Sequence, residues 1–188
     1  MSGLFLFKEL YIMPISPPFN LHQWIEDHRH LLKPPVGNKN LYIDSGDYIV
    51  MIVAGPNARK DYHYNETEEL FYQLEGNIEV HIQEDGKKKT FKLGPGDMYL
   101  HPAKVPHSPV RHEGSLGLVI ERKRIPNEHK DGLLWHCDHC NHPLHEVYFE
   151  LENIEKDFLK HFKAFYADES LRTCKNCGEV MPTDARFV

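Results

Sequence analysis

Apolar residues Leu21, Trp24, Ile25 and Leu31/Leu32 recur at helical spacing behind Asn20. An asparagine there can accept from the free N–H groups of a first turn, and Gln23 stands where a capping box needs it, so a short helix is predicted, ended by KPPVG. The pattern then changes to short aromatic and β-branched runs separated by Gly, Asp and Pro: LYID, DYIVMIVAG, ELFYQLEG, IEVHIQ, KTFKL, DMYLHP and LGLVIER. Ile78, Val80 and Ile82 alternate with Glu79, His81 and Gln83, which predicts a strand with one buried face, while Tyr48 to Val53 reads as buried on both faces. Seven or more such strands predict a mainly β sandwich or barrel. After Arg124 the polar, turn-rich IPNEHKDG marks a boundary. Beyond it, HEVYFEL reads as a strand, and Ile154, Phe158, Phe162 and Phe165 form the apolar stripe of a second helix behind a possible Asn153 cap. That stripe is expected to dock the C-terminal part on the barrel. The resulting division is a barrel over 1–124, with 1–12 an extension, a linker over 125–134 and a C-terminal metal-binding region over 135–188.

The bulk properties narrow the function classes. A chain of 188 residues with 40% hydrophobic and 11% aromatic residues has room for one main core and a small appendix. A formal net charge of −6 offers no general attraction for nucleic acid, and Lys87 to Lys89, after the Asp85-Gly86 turn signal, read as a solvated hairpin arm. No window approaches the roughly 18–20 apolar residues that span a bilayer. The N-terminal LFLF is cut off by Lys8 and Glu9, too short for a secretory core, and the expectation is a soluble, cytoplasmic protein without membrane or nucleic-acid partners.

Two runs carry candidate chemistry. DYHYNETEEL holds His63 and Glu69, and HPAKVPHSPVR holds His107 and Arg111. Two imidazoles and one carboxylate form the set that holds Fe(II) on one face and leaves positions open for substrate and dioxygen, which points to a non-haem iron oxygenase. Turn-forming Gly96-Asp97 and the fixed chain at Pro102 and Pro106 precede His107. Any single one of the 14 histidines is better read as surface or core; His101 and His112 lack a matching partner pattern and keep that reading. Separately, Cys137-Asp-His-Cys140 and Cys174-Lys-Asn-Cys177 lie with 33 residues between them. Two such knuckles put four thiolates on one Fe or Zn ion, with Gly178 easing close backbone approach, and four sulfurs close the coordination sphere, so the site is structural and expected to be dispensable for chemistry.

The segments Gly55 to Gly76 and Gly94 to Arg111 resemble the two cupin motifs, which implies a double-stranded β-helix, or jelly-roll, barrel with a metal at its mouth. Where many cupins have His-x-His, this chain has His63-Tyr64-Asn65, so three protein ligands are expected instead of four. LLKPPVGN, GPNARKDYH, EELFYQLEGN, VPHSPVR, LVIER and the two Cys pairs together resemble the 3-hydroxyanthranilate 3,4-dioxygenase family, in its microbial and fungal form with a rubredoxin-like four-cysteine knob, from about Pro17 to Gly178. The resemblance implies that His63, Glu69 and His107 bind catalytic Fe(II), with Glu69 also near the substrate. It implies further that Arg59 lies beside dioxygen, that Arg111 binds the substrate carboxylate and that Glu121 hydrogen-bonds the aromatic substrate.

On that resemblance the substrates are 3-hydroxyanthranilate and dioxygen, the product is 2-amino-3-carboxymuconate semialdehyde on the route from tryptophan to quinolinate and NAD, and the assembly is a homodimer. Other readings stay open. A metabolite-binding cupin would share the ligands but not need Arg59, Arg111 and Glu121 together. A zinc-ribbon interaction protein should be basic around its cysteines, whereas CDHCNHPLHEVYFELENIEKD is acidic on balance. A sugar isomerase or thiol dioxygenase would differ in substrate.

Overall fold

The computed structural model describes residues 16–187 except 34–36, 58 and 153. The expected N-terminal extension, the Pro-Pro-Val centre of the helix terminator and the Asn153 cap lie outside the described residues. Helix α1, Leu21–His28, starts where the polar pattern places it: Asn20 Oδ1 accepts from Gln23 N at 3.0 Å. The Gln23 side chain donates forward to Asp27 instead of back to the cap, so the box is half made. A 3-10 turn over Arg29–Leu31 follows, and Ile25 and Leu32 are buried against Ile52 and Leu116.

Eleven strands among the described residues make two antiparallel sheets. The strands are β1 (Asn38–Asn40), β2 (Tyr48–Ala54), β3 (Asp61–Asn65), β4 (Glu69–Glu75), β5 (Ile78–Glu84), β6 (Lys87–Leu93), β7 (Met98–His101), β8 (His107–Arg111), β9 (Leu116–Arg122), β10 (Asp131–His136) and β11 (Pro143–Phe149). One sheet runs β1-β2-β9-β4-β7 and the other β11-β10-β3-β8-β5-β6. Their inner faces meet over Phe71, Ile78, Val80, Ile82, Leu93 and Val119, the mainly β jelly-roll architecture expected from the strand pattern. The β5–β6 hairpin turns through Asp85 and Gly86, both with positive φ, as a two-residue loop matched to strand twist requires. Among the described residues no helix is long and apolar enough to cross a membrane.

Two local expectations give way. LYID is not a strand: Asn40 Oδ1 accepts from Tyr42 N at 3.1 Å, an Asx turn that ends β1 and leaves Ile43 79% exposed. The run Tyr48 to Val53 is not buried on both faces. Only Ile52 is fully buried and Tyr48 is exposed, because β2 has the short β1 beyond it and α1 covers part of its outer side.

Residues 125–130 turn through Ile125 O, which accepts from Glu128 N and His129 N, and lead directly into β10. That strand pairs with β3 from Asp131↔Asn65 to Trp135↔Asp61, so it extends the barrel's own sheet. Its Leu133 and Trp135 carry a second core with Phe158, Phe162, Phe165 and Tyr166 of helix α2 (Ile154–Ala167) and with Met181. Trp135 is fully buried and stacks on Phe165 with centroids 4.3 Å apart. The short helix α3, Glu169–Arg172, is capped by Asp168 and leads into the second Cys pair. Trp135→Ala is expected to lower unfolding free energy by about 3–5 kcal/mol in urea titration; a loss under 1 kcal/mol would contradict the shared core.

Candidate metal and substrate site

Alternation along four strands aims the candidate residues inward. Asp61, His63 and Asn65 of β3, Glu69, Phe71 and Gln73 of β4, and Val119 and Glu121 of β9 are buried at every second position, and His107 and Arg111 of β8, four residues apart, are buried on the same face. Register then brings distant residues together: His63 pairs across from His107, and Glu69 from Glu121. Asn57, in GPNARKDYH, clamps β8 from the side. Its Oδ1 accepts from Arg111 N at 2.9 Å and its Nδ2 donates to Pro109 O at 2.9 Å.

His63, Glu69 and His107 each offer a ligand atom within 4.8 Å of the others, and all three are buried. Glu69 Oε2 lies 3.1 Å from His107 Nε2, yet this oxygen and His107 Nδ1 have no hydrogen-bond partner among the described residues. Burial pushes the Glu69 carboxyl up, but His107, His63 and His101 outweigh it and hold it at about 2. Burial in turn pushes His63 down, towards the neutral form, while Asp131 opposes it. An ionised carboxylate among imidazoles with orphaned polar atoms is what a divalent cation satisfies, so the residues fit a metal. His63 Nε2 donates to Asp131 Oδ1 at 2.7 Å, which fixes the ring and leaves its other nitrogen for an ion.

Around this cluster stand the other candidates. Arg111 is 3% exposed and its Nη1 has no hydrogen-bond partner among the described residues; burial pulls it down to about 10, with Glu69 favouring the charge. Glu121 is pushed up to about 7 by burial and by Glu69, against Arg124. Arg59 is committed to Asp61 through Nε and Nη2, and its guanidinium carbon sits 5.5 Å and 5.6 Å from the ring centroids of Phe158 and Phe162. Phe158 also meets His63 edge-on at 5.2 Å, so helix α2 touches the site. His101 and His112 lie outside the cluster: His101 donates to Val105 O at 2.8 Å and accepts from Tyr99 OH at 3.0 Å, and His112 is exposed.

Two participants escaped the sequence. Asp131 and Arg124 flank a polar run that reads as linker, and nothing in its composition distinguishes a buried carboxylate from a solvated one. The four cysteines do gather, with Sγ atoms of Cys137 and Cys177 3.6 Å apart and those of Cys140 and Cys174 3.5 Å apart. Each knuckle repeats one geometry: Asn141 N donates to Cys137 O and Gly178 N to Cys174 O, both at 2.9 Å, with Asn141 and Gly178 at positive φ. Asn176 Nδ2 donates to Cys140 Sγ and pulls that thiol down, while the three neighbouring sulfurs push Cys177 up, the mutual repulsion of four crowded sulfurs that a bound cation relieves. The free sulfurs are too far apart for disulfides and spaced for a tetrahedral ion.

Burial drives His101 from its ordinary 6.5 down to about 4, with His107 adding to the effect. The unfolded chain therefore takes up this proton first as pH falls, and the stability it confers is present above about 6.5 and lost between 6.5 and 4. The urea midpoint of the parent is expected to fall relative to His101→Gln between pH 7 and pH 4.5; parallel pH profiles would contradict a buried neutral His101.

Residues 13–166 match the family model described as 3-hydroxyanthranilic acid dioxygenase. The 3-hydroxyanthranilate 3,4-dioxygenase of Xanthomonas campestris pv. campestris (strain B100) is 55% identical over 173 residues, covering 92% of this chain and 97% of that protein. That of Burkholderia lata is 50% identical over 175 residues, covering 93% and 99%. Among solved structures, a cupin-2 domain containing protein from Shewanella frigidimarina is similar, with a TM-score of 0.44 and 21% identity over 53% of this chain and 92% of that one. The match over most of the chain, on a barrel that gathers His63, Glu69 and His107, establishes that this chain belongs to the 3-hydroxyanthranilic acid dioxygenase family.

Proposed function

We propose that the protein is an iron(II)-dependent dioxygenase that cleaves the ring of 3-hydroxyanthranilate. The observation that carries this reading is a buried arginine with an unpartnered nitrogen, Arg111, in the same barrel interior as a two-histidine, one-carboxylate cluster. A guanidinium without a fixed carboxylate inside a protein is a receptor for one, and 3-hydroxyanthranilate brings one beside its amino and hydroxyl groups. His63, Glu69 and His107 would hold the iron, which when bound supplies chelation of those two groups and activation of dioxygen.

The chain's own part is to orient and to handle charge and protons. Arg111 grips the substrate carboxylate and thereby fixes which ring edge faces the cluster. Glu121 Oε2 accepts from Asn65 Nδ2 at 3.0 Å and from Arg124 Nη1 at 2.6 Å, which leaves Oε1 for a substrate hydroxyl or amine. Burial raises the proton affinity of its carboxyl, which suits it to share a proton with that hydroxyl or amine. Arg59, held cationic by Asp61 against burial, places positive charge beside the cluster where negative charge develops on oxygen. Phe71 and Val119 exclude water from one side. Both oxygen atoms enter the product, 2-amino-3-carboxymuconate semialdehyde, as the bond beside the hydroxyl-bearing carbon opens; the product closes to quinolinate, a precursor of NAD. This chemistry takes place in the cytoplasm.

The four-cysteine site holds a structural iron or zinc. Assembly as a homodimer is supported by the outer face of the five-stranded sheet. Met98 (65% exposed) and Leu100 (55%) on edge strand β7 lie beside Tyr72 and Leu70 of β4 and then Ile120 of β9, an apolar surface suited to a second copy.

Anaerobic loading with Fe(II), followed by 3-hydroxyanthranilate and oxygen, is expected to give stoichiometric oxygen uptake that His107→Ala abolishes; an iron-loaded, folded protein without turnover would overturn the reading. Gly117 gives a finer test, because a Cβ there would lie 3.0 Å from both Arg111 Nη1 and Gln73 Oε1. Gly117→Ala is expected to raise KM for 3-hydroxyanthranilate at least tenfold with iron content retained, and an unchanged KM would remove Arg111 from carboxylate recognition.

A further inference from the structure

One guanidinium joins the two halves of the site. Arg124 follows β9, and its side chain is 6% exposed. Nε donates to Asp131 Oδ2 at 2.9 Å, Nη2 to Asp131 Oδ1 at 2.6 Å and Nη1 to Glu121 Oε2 at 2.6 Å. Asp131 is fully buried, and the same Oδ1 accepts from His63 Nε2 at 2.7 Å. The chain of contacts therefore runs from a metal-ligand candidate on β3, through a carboxylate at the start of β10 and a planar cation, to the substrate-facing carboxylate on β9. It crosses from the six-stranded sheet, which holds β3 and β10, to the five-stranded one, which holds β9.

We infer that Arg124 is a positioning residue that holds the Asp131–His63 pair and Glu121 as one unit, so that the metal ligand and the substrate carboxylate are set by the same group. The inference rests on the proposed reading of Glu121 as a substrate contact. Geometry selects arginine: a single fork satisfies both oxygens of one carboxylate and a third acceptor on the other, which the one ammonium of a lysine does not span. A carboxylate bonded to the second nitrogen of a ligand histidine fixes the ring, and loss of such a partner typically costs about 10–100-fold in metal affinity or activity. Glu121, for its part, has its carboxylate orientation set by the two bonds that Oε2 accepts from Arg124 and Asn65. A purely stabilising ion pair would lower the unfolding midpoint without changing either binding constant of the folded protein.

The test uses the full chain, stripped of metal and titrated with Co(II). The visible bands of a nitrogen–oxygen site are read apart from the thiolate charge-transfer bands of the four-cysteine site. Anaerobic binding of 3-hydroxyanthranilate to the cobalt-saturated protein is then followed by fluorescence. Asp131→Asn is expected to weaken barrel-site cobalt at least tenfold with substrate affinity within threefold of the parent, and Glu121→Gln to do the reverse. Arg124→Met is expected to weaken both at least tenfold. Arg124→Lys, which keeps the buried charge and therefore the fold, is expected to lose at least tenfold in one of them. Parent-like values for both constants, within threefold, in Arg124→Lys or in a folded Arg124→Met would overturn the inference. A parent that binds cobalt but not 3-hydroxyanthranilate would overturn the proposed substrate instead, and the cobalt constants of Asp131→Asn and the Arg124 variants would still judge the clamp.

Discussion

Charge buried inside a β barrel is the constraint on which the rest of this structure depends. Glu69 is buried on β4, held towards its charged form by His63 and His107, and Asp61, Asp131 and Glu121 are buried as well. Leaving such groups uncompensated costs several kcal/mol each. The chain answers with three arginines in three different ways. Arg59 pairs with Asp61, Arg124 spans Asp131 and Glu121, and Arg111 keeps a nitrogen in reserve. Among the described residues the Glu69 cluster has no arginine fork of its own, and the proposed divalent cation would complete it. Stability and function thus draw on the same charges, and Glu69 Oε2, His107 Nδ1 and Arg111 Nη1 are the atoms among the described residues of the site that those charges leave unsatisfied.

The strands supply the rigidity this arrangement needs. Period-two alternation sends His63, Glu69, His107 and Glu121 inward, and antiparallel register sets His63 against His107 and Glu69 against Glu121. A one-residue slip would turn every one of these side chains to the outer face. The apolar layer of Phe71, Val80, Ile82 and Val119 beneath them fixes that register. The C-terminal region adds a second support, since β10 contributes Asp131 to the site and α2 lays Phe158 against both His63 and Arg59. Those contacts belong to the helix and the strand, not to the cysteines.

Much of this was legible in the sequence because it is local. Alternation in IEVHIQ, the Asp85-Gly86 turn, the Asn20 cap and the paired Cys-x-x-Cys knuckles each write their geometry into a few neighbouring residues. His63, Glu69 and His107 were found as a constellation, and the fold does gather them. What the sequence hid depends on distant partners. LYID carries strand-forming residues, but Asn40 bends the chain first. Tyr48 to Val53 is apolar enough for a doubly buried strand, yet burial depends on what lies beyond the sheet. Asp131 and Arg124 border a polar stretch whose composition says linker, and only the β10–β3 register reveals that one of them stands behind an imidazole.

The central claim is that His63, Glu69 and His107 hold one metal ion inside the barrel while four cysteines hold another. Anomalous diffraction from crystals grown anaerobically with Fe(II) tests it most directly. The account predicts a peak at about 2.0–2.2 Å from a nitrogen of each histidine and an oxygen of Glu69. It also predicts His63 still bonded to Asp131, and a second peak centred among Cys137, Cys140, Cys174 and Cys177. Iron found only at the cysteines, or bound in the barrel through His101 instead of His63 or His107, would contradict it.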